Sequence, residues 1–229
     1  MSISQSKYFE FIKEPSDHEF LLSEFKGWNG LIVMELNLPK NLNIKSDSIK
    51  SKYFDIKEKE KIFVLTKGKA KIYLEDNSYT LKEFDALNLY SRNSNYEIKS
   101  EEDSKIFIVS AENLKPFIKN PVFFNFKKDI IPHDIWGGKC ISRVFFGESL
   151  NLVLFDLKKG FNFHDNGHEN EQITWVTNGN MDFYVNDLKK NLSPGNGVDI
   201  ASFDQHGGVS NGALGFDAFY PKREEKKYK

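Results

Sequence analysis

The chain has 229 residues, 39% of them hydrophobic and 28% charged, which is enough for one large domain or two small ones that fold as a globule. A net charge of -1 gives no global argument for nucleic acid or an anionic membrane as partner. The single cysteine, Cys140, excludes a disulfide framework or a cysteine-based zinc site within one chain and reads as a packing residue.

Residues 1–20 read as a polar lead-in containing Pro15, with a short strand around Tyr8 to Ile12. No apolar targeting segment and no bilayer-spanning run is visible, so the expected setting is the cytoplasm, with no membrane partner. From Phe25 onward, short β-prone runs alternate with turn residues: Leu31 to Leu36, Lys61 to Leu65, Ala70 to Leu74, Tyr79 to Leu81, Ala86 to Leu89, Tyr96 to Ile98 and Ile106 to Ser110. The chain has 21 phenylalanines, many of them in short alternating runs, which favours half-buried strands in a sandwich or barrel. Leu114 to Lys119 reads as a short helix or turn. The stretch 111–140, with Pro121, Pro132 and the turn Trp136-Gly137-Gly138, reads as a connection between two halves.

The second half repeats the first at an offset of 111 residues, the distance from Gly68 to Gly179. Tyr73 then falls on Tyr184, Asp76 on Asp187, Leu81 on Leu192, Leu87 on Val198 and Leu89 on Ile200. This register predicts two copies of one β module.

Gly160 to Gly179 carries the chemistry. His164, Asn166 and His168 alternate, and in an extended strand alternate residues share a face. Gln172 follows, then the run Ile-Thr-Trp-Val, then Asn178-Gly179, a strong hairpin signal. With His206, imidazoles and an amide oxygen converging inside a small β structure suit a divalent metal. Applied to the first half, the same offset sets Lys57 against His168, Lys61 against Gln172, Asn95 against His206 and Asp55 against Asn166. Protonated lysines cannot ligate, so the N-terminal module is expected to be metal-free. Glu171 reads as a solvent-facing charge, Trp175 and Tyr184 as barrel wall, and His18 and His133 as loop residues.

These residues resemble the cupin superfamily, whose first motif runs G-x5-H-x-H-x3/4-E-x6-G. Gly160, His168, Gln172 and Gly179 stand in its register, and Pro194-Gly195-Asn196-Gly197 followed by His206 is a looser second motif. The resemblance implies an all-β fold of tandem double-stranded β-helices, a bicupin of two jelly-roll barrels. The expected domains are an N-terminal barrel without metal at 1–112, a connection at 113–140 and a C-terminal barrel with the site at 141–229. The phrase Asn170-Glu171-Gln172-Ile173 is similar to BacB-type bicupins of the bacilysin pathway. A narrower resemblance, over Gly147 to Glu225, is to KdgF-type cupins of pectin and alginate breakdown. It is carried by Gly147-Glu148, His168, Glu171-Gln172, Pro194-Gly195, His206 and the run Asp217 to Glu224.

The resemblance implies metal ligands at His168, Gln172 and His206, and catalytic roles for Asp217, Phe219 and Arg223. The family's first ligand histidine falls on Asn166, a weaker donor, with His164 as the alternative further ligand. The implied cofactor is one divalent transition metal per chain, zinc, iron, nickel or manganese, in the C-terminal barrel. The implied function is an enzyme, an isomerase or lyase, acting on a small oxygen-rich carboxylate, a uronate-type sugar acid or 2-oxo acid, by isomerisation, tautomerisation or elimination. The alternatives are an iron-dependent cupin dioxygenase and a non-catalytic bicupin that binds a small molecule or sugar at a vestigial metal site. The partner is a small-molecule substrate, and the chain is expected as a monomer or homodimer.

Overall fold

The computed structural model describes residues 5–11, 20–49, 51, 53, 60–75, 77–90, 95–111 and 119–223. Outside them lie Asp55 and Lys57 of the first half, Asp76, His18, most of the turn expected at Leu114 to Lys119, and Glu224 onward.

Among the described residues the chain is all β apart from one 3-10 turn at Ser46–Ser48. The strands are β1 (Lys7–Glu10), β2 (Leu21–Lys26), β3 (Leu31–Leu38), β4 (Asn43–Lys45), β5 (Lys61–Lys67), β6 (Ala70–Tyr73), β7 (Ser78–Leu81), β8 (Asp85–Leu89), β9 (Glu97–Ser100) and β10 (Ser104–Ala111). They continue as β11 (Val122–Asn125), β12 (His133–Ile135), β13 (Cys140–Phe146), β14 (Asn151–Leu157), β15 (Asn162–Asp165), β16 (Glu171–Val185), β17 (Leu188–Leu192), β18 (Asn196–Ile200) and β19 (His206–Tyr220). No helix here is long and apolar enough to cross a membrane.

The chain divides into two compact units, one of residues 12–26 and 32–129, the other of residues 1–11, 27–31 and 130–229. In the first, a six-stranded sheet has the order β11-β8-β5-β10-β3-β2 and a four-stranded sheet the order β4-β9-β6-β7. Alternate residues of these strands meet in one core that includes Ile32, Met34, Leu36, Phe63, Leu65, Ile72, Leu87, Ile98 and Ile108. The segment read as a mere connection supplies β11, which pairs with β8. Val122 and Phe123 of its aromatic run are exposed, whereas Phe124 and Phe126 are buried and pack edge-on at 5.1 Å.

In the other unit the order is β1-β18-β16-β19-β14-β13-β12, with β15 paired to β19 and β17 to β16. The lead-in strand β1 thus belongs to this sheet, Tyr8 standing opposite Val198. The core is built from Phe155, Leu157, Phe161, Met181, Phe183, Val185, Leu192, Val198 and Ile200.

The offset of 111 residues holds in hydrogen-bonded register. Ala70 pairs with Leu81 as Met181 pairs with Leu192, and Lys61 pairs with Leu89 as Gln172 pairs with Ile200. On the next strand it slips by one. Tyr73 opposes Glu97 where Tyr184 opposes Gly207, so His206 falls on Tyr96 and not on Asn95.

Two expectations are corrected here. Asn178-Gly179 makes no hairpin, because β16 runs through it to Val185, paired along its length with β19. The register shifts at Val176/Asn178 and Gly179/Met181, so the dipeptide forms a β-bulge. Gly179 has φ of +72°, and a side chain there would collide with the Gly212 carbonyl on the facing strand.

Glu171 is the second correction: it is fully buried. Its carboxylate accepts the backbone N–H groups of Asn29 and Leu31, both at 3.0 Å, and so clasps the turn at 27–31. Asp199, also fully buried, accepts the N–H of Trp28 at 3.1 Å. A charge beside a ligand-like residue reads as solvated in one dimension, but the turn that covers it comes from far away in sequence.

Burial, then the neighbouring Glu171 charge, pushes the Asp199 carboxyl up to about 8. The folded chain therefore keeps a proton that the unfolded chain loses near its ordinary value of 3.8. The contribution of Asp199 to stability is present in full below about pH 4 and is lost as pH rises from about 4 to about 8. Asp199→Asn should flatten this slope and leave the variant more stable than the parent at pH 8, read from urea midpoints at pH 5 and pH 8. Equal slopes in the two proteins would refute the assignment.

Candidate metal centre

The strand β15 ends at Asp165, and the turn through Asn166 and Gly167, with Gly167 at φ +96°, breaks the alternation before His168 is reached. The parity that would put His164, Asn166 and His168 on one face therefore stops two residues short. His164 and Asn166 are both exposed and bond to each other, His164 Nε2 to Asn166 Oδ1 at 2.9 Å. The other ring nitrogen of His164 meets the Tyr184 hydroxyl at 2.7 Å.

The residue between them, Asp165, has the opposite parity. It joins His168 and His206, with one potential ligand atom from each of the three residues lying within 4.8 Å of the others. Strand pairing places Asp165 directly opposite His206. Sequence reasoning missed Asp165; the available signal was the glycine after Asn166, which marks where strand periodicity ends.

Both histidines are buried and close together, ring centroids 5.3 Å apart and edge to face. His206 Nδ1 lies 2.9 Å from the Asp204 carbonyl, which can only accept, so Nδ1 carries the proton and Nε2 the lone pair. His168 is set by a longer relay. Thr174 Oγ1 donates to Asp217 Oδ1 at 2.6 Å, and Gln172 Nε2 donates to the same oxygen at 3.1 Å. The Gln172 amide oxygen is thereby turned toward His168 Nε2, at 2.9 Å, and accepts its proton. That leaves the bare lone pair on His168 Nδ1, a buried nitrogen with no hydrogen-bond partner among the described residues. Each imidazole thus offers one unprotonated nitrogen and anchors the other, the arrangement that metal-ligating histidines need. The donor set fits a divalent transition metal.

The electrostatics agree. Burial, then the nearby Arg223 charge, pushes His168 down to about 4, and burial lowers His206. Both imidazoles are therefore neutral at pH 7. Burial alone would raise Asp165, but His206, the Gly167 N–H, Arg223 and His168 outweigh it and hold the carboxyl below its ordinary value.

The other residues singled out in the sequence gather around this cluster. Gln172 spends its oxygen on His168. Phe219 packs edge-on against His168, centroids 5.5 Å apart, and the Arg223 guanidinium lies over the same ring at 5.4 Å. Arg223 Nη2 reaches Asp165 Oδ2 at 3.4 Å. Asp217 is pushed up to about 6 by burial. Its two bonds share Oδ1, and among the described residues none is made by Oδ2.

A cavity of about 210 Å³ opens beside the cluster. Its polar end is Asp165, Gln172, Thr174, Asp217 and Arg223, with exposed His164 also in the lining. The remaining wall is largely apolar, built from Trp136, Val153, Phe155, Leu157, Phe161, Phe163, Met181, Phe183 and Phe219. Trp136 is 64% exposed and leans on Phe161 at 5.2 Å, and Phe161 stacks on Phe163 at 5.9 Å. Cys140 also lines the cavity, but burial pushes its thiol up to about 12, which makes it an inert packing residue.

No protein-family model matches the chain, and no curated protein matches it by sequence. Solved structures do. A putative glyoxylate-induced protein from Pseudomonas aeruginosa superposes with TM-score 0.73 at 11% identity, over 96% of this chain and 88% of that one. The oxalate decarboxylase of Lactobacillus farciminis, solved as a formate complex, gives 0.71 at 10% identity, over 97% and 87%. A cupin 2 conserved barrel domain protein from Leptotrichia buccalis gives 0.63 at 15% identity, over 96% and 99%. At such identities the likeness is one of fold, and it agrees with the strand orders described above: the chain has the cupin fold.

Proposed function

We propose that the chain is a metal-dependent cupin enzyme whose site lies among Asp165, His168 and His206, and that it moves a proton on a small carboxylate by isomerisation, tautomerisation or elimination. The observation that carries this reading is the buried, unpartnered Nδ1 of a histidine, His168, that stands in one cluster with Asp165 and His206. A bound divalent metal would act as a Lewis acid on a carbonyl or enol oxygen.

The chain's own residues would do the rest. Arg223 is a planar donor fork at the cavity wall and pairs with the carboxylate of the ligand. Asp217, with its carboxyl near 6, exchanges a proton close to neutral pH through Oδ2. Gln172 and Thr174 hold Asp217 in place, and Gln172 sets the tautomer of His168. Beyond the polar end and Ser142, the wall is largely aromatic and aliphatic and offers few hydrogen-bond partners to a polyhydroxylated ring. A 2-oxo acid with an apolar body therefore suits the cavity better than a uronate, which departs from the oxygen-rich class suggested by the motifs.

In the unit 12–26 and 32–129, fully buried Lys61 holds the position that Gln172 holds in the other, which supports a tandem in which only one barrel binds metal. The iron dioxygenase reading gains from Asp165. Two histidines and one carboxylate form the donor set of many non-haem iron oxygenases. Oxygen consumption by the iron-loaded protein separates the two enzymes.

The test begins with elemental analysis of the untagged protein, where about one equivalent of transition metal per chain is expected. Asp217→Asn should keep that metal and lower turnover by about 10²- to 10⁴-fold. A metal-free protein after loading with iron, nickel, manganese and zinc would refute the enzyme reading. A fully active Asp217→Asn would remove Asp217 from the chemistry.

A further inference from the structure

We propose that Arg223 competes with the metal for the carboxylate of Asp165, so that a carboxylate ligand that takes up Arg223 tightens metal binding. This rests on the reading of Asp165, His168 and His206 as the metal site. Asp165 is claimed from two sides. Its Oδ2 lies 3.4 Å from Arg223 Nη2, while one of its oxygens lies within 4.8 Å of ligand nitrogens on His168 and His206. Its Oδ1 also accepts the Gly167 N–H at 2.9 Å, so the carboxylate is held in place and cannot swing away to avoid the choice.

Arg223 is itself braced. It lies over the Phe219 ring at 5.4 Å, and that ring packs against His168 at 5.5 Å. Arg223 also lines the cavity that an incoming acid would enter. One carboxylate shared between a guanidinium and a divalent ion gives less of its charge to each. A ligand carboxylate that engages the Arg223 fork bidentately draws charge-assisted hydrogen bonds away from Asp165. Asp165 is then a better ligand, and by linkage the bound metal strengthens the grip of Arg223 on the acid by the same factor.

The experiment uses the full chain and Mn²⁺ alone, with its affinity measured by calorimetry in the presence and absence of benzoate as the apolar acid. Benzoate should tighten Mn²⁺ binding to the parent about fivefold or more, the usual scale of coupling between sites. It should do so less than twofold in Asp165→Asn, where nothing remains to be released. Equal enhancement in both proteins would mean direct attraction between acid and metal and would overturn the proposal.

Arg223→Lys keeps the charge but not the fork, and decides the matter if Asp165→Asn binds too weakly to read. Its Mn²⁺ affinity without benzoate should rise severalfold, and an affinity equal to the parent's would overturn competition for Asp165. A parent protein that binds neither Mn²⁺ nor any other transition metal refutes the metal-site reading itself. A parent that binds Mn²⁺ but is indifferent to benzoate refutes only the coupling.

Discussion

Replacing His206 with alanine is expected to abolish metal binding at the proposed site while the barrel still folds. His206 contributes a bare Nε2, fixed in direction by its Nδ1–H bond to the Asp204 carbonyl, and it stands opposite Asp165 across the β15–β19 pair. Without it two donors remain, Asp165 and His168, and two protein ligands hold a divalent transition metal far more weakly than three. Affinity should fall by about 100-fold or more, the upper range for losing even a supporting group at such a site. Elemental analysis reads the loss, and a cooperative thermal transition shows that the fold survives. His164→Ala is the matched control. His164 is exposed and tied to Tyr184 and Asn166, so that variant should retain the metal. Full occupancy in His206→Ala, or loss of metal in His164→Ala, would move the site elsewhere.

The second large effect concerns stability. Glu171→Leu should cost about 2–5 kcal/mol, because it leaves the buried N–H of Leu31 and the part-buried N–H of Asn29 without an acceptor. The cost of an unmade bond to a buried donor exceeds the modest net value of the bond itself. Leucine also brings no charge to balance, so some of the desolvation penalty of the buried carboxylate is recovered. Glu171→Gln keeps one acceptor oxygen and should cost less than Glu171→Leu. Urea unfolding at pH 7 measures both. Full stability in Glu171→Leu would mean that the turn at 27–31 is held by something other than this carboxylate.

How far the sequence could be read depended on the range of the interaction. Short β-prone runs such as Lys61–Lys67 and Asp85–Leu89 were visible as apolar stretches bounded by turn residues, and both are buried along most or all of their length. The repeat offset was visible because it preserves register, and Met181 opposite Leu192 repeats Ala70 opposite Leu81. It failed at His206, where a slip of one residue on the facing strand moves the equivalent position to Tyr96. A gapless offset cannot register a slip that costs nothing locally.

The motif spacing placed His168, Gln172, His206, Asp217, Phe219 and Arg223 in one neighbourhood, and the structure brings all six together. It could not say which of them faces which. Gln172 reads as a ligand by position, yet its amide is oriented by Asp217 and Thr174 and gives its oxygen to His168. Hydrogen-bond partners across strands are set by register and rotamer, and neither is written in residue spacing.

By itself, the sequence determined the all-β character, because β-prone runs and the turn residues between them are properties of neighbours along the chain. The tertiary structure alone decided three things. It made Asp165 the third member of the cluster, because a positive-φ glycine at 167 ends the strand before its parity reaches His168. It buried Glu171 and Asp199 beneath the turn at 27–31, because backbone donors more than 100 residues away supply what water would otherwise provide. It drew an aromatic cavity beside a polar cluster, because β13, β14, β15, β16 and β19 turn Phe155, Phe163, Phe183 and Phe219 toward one space.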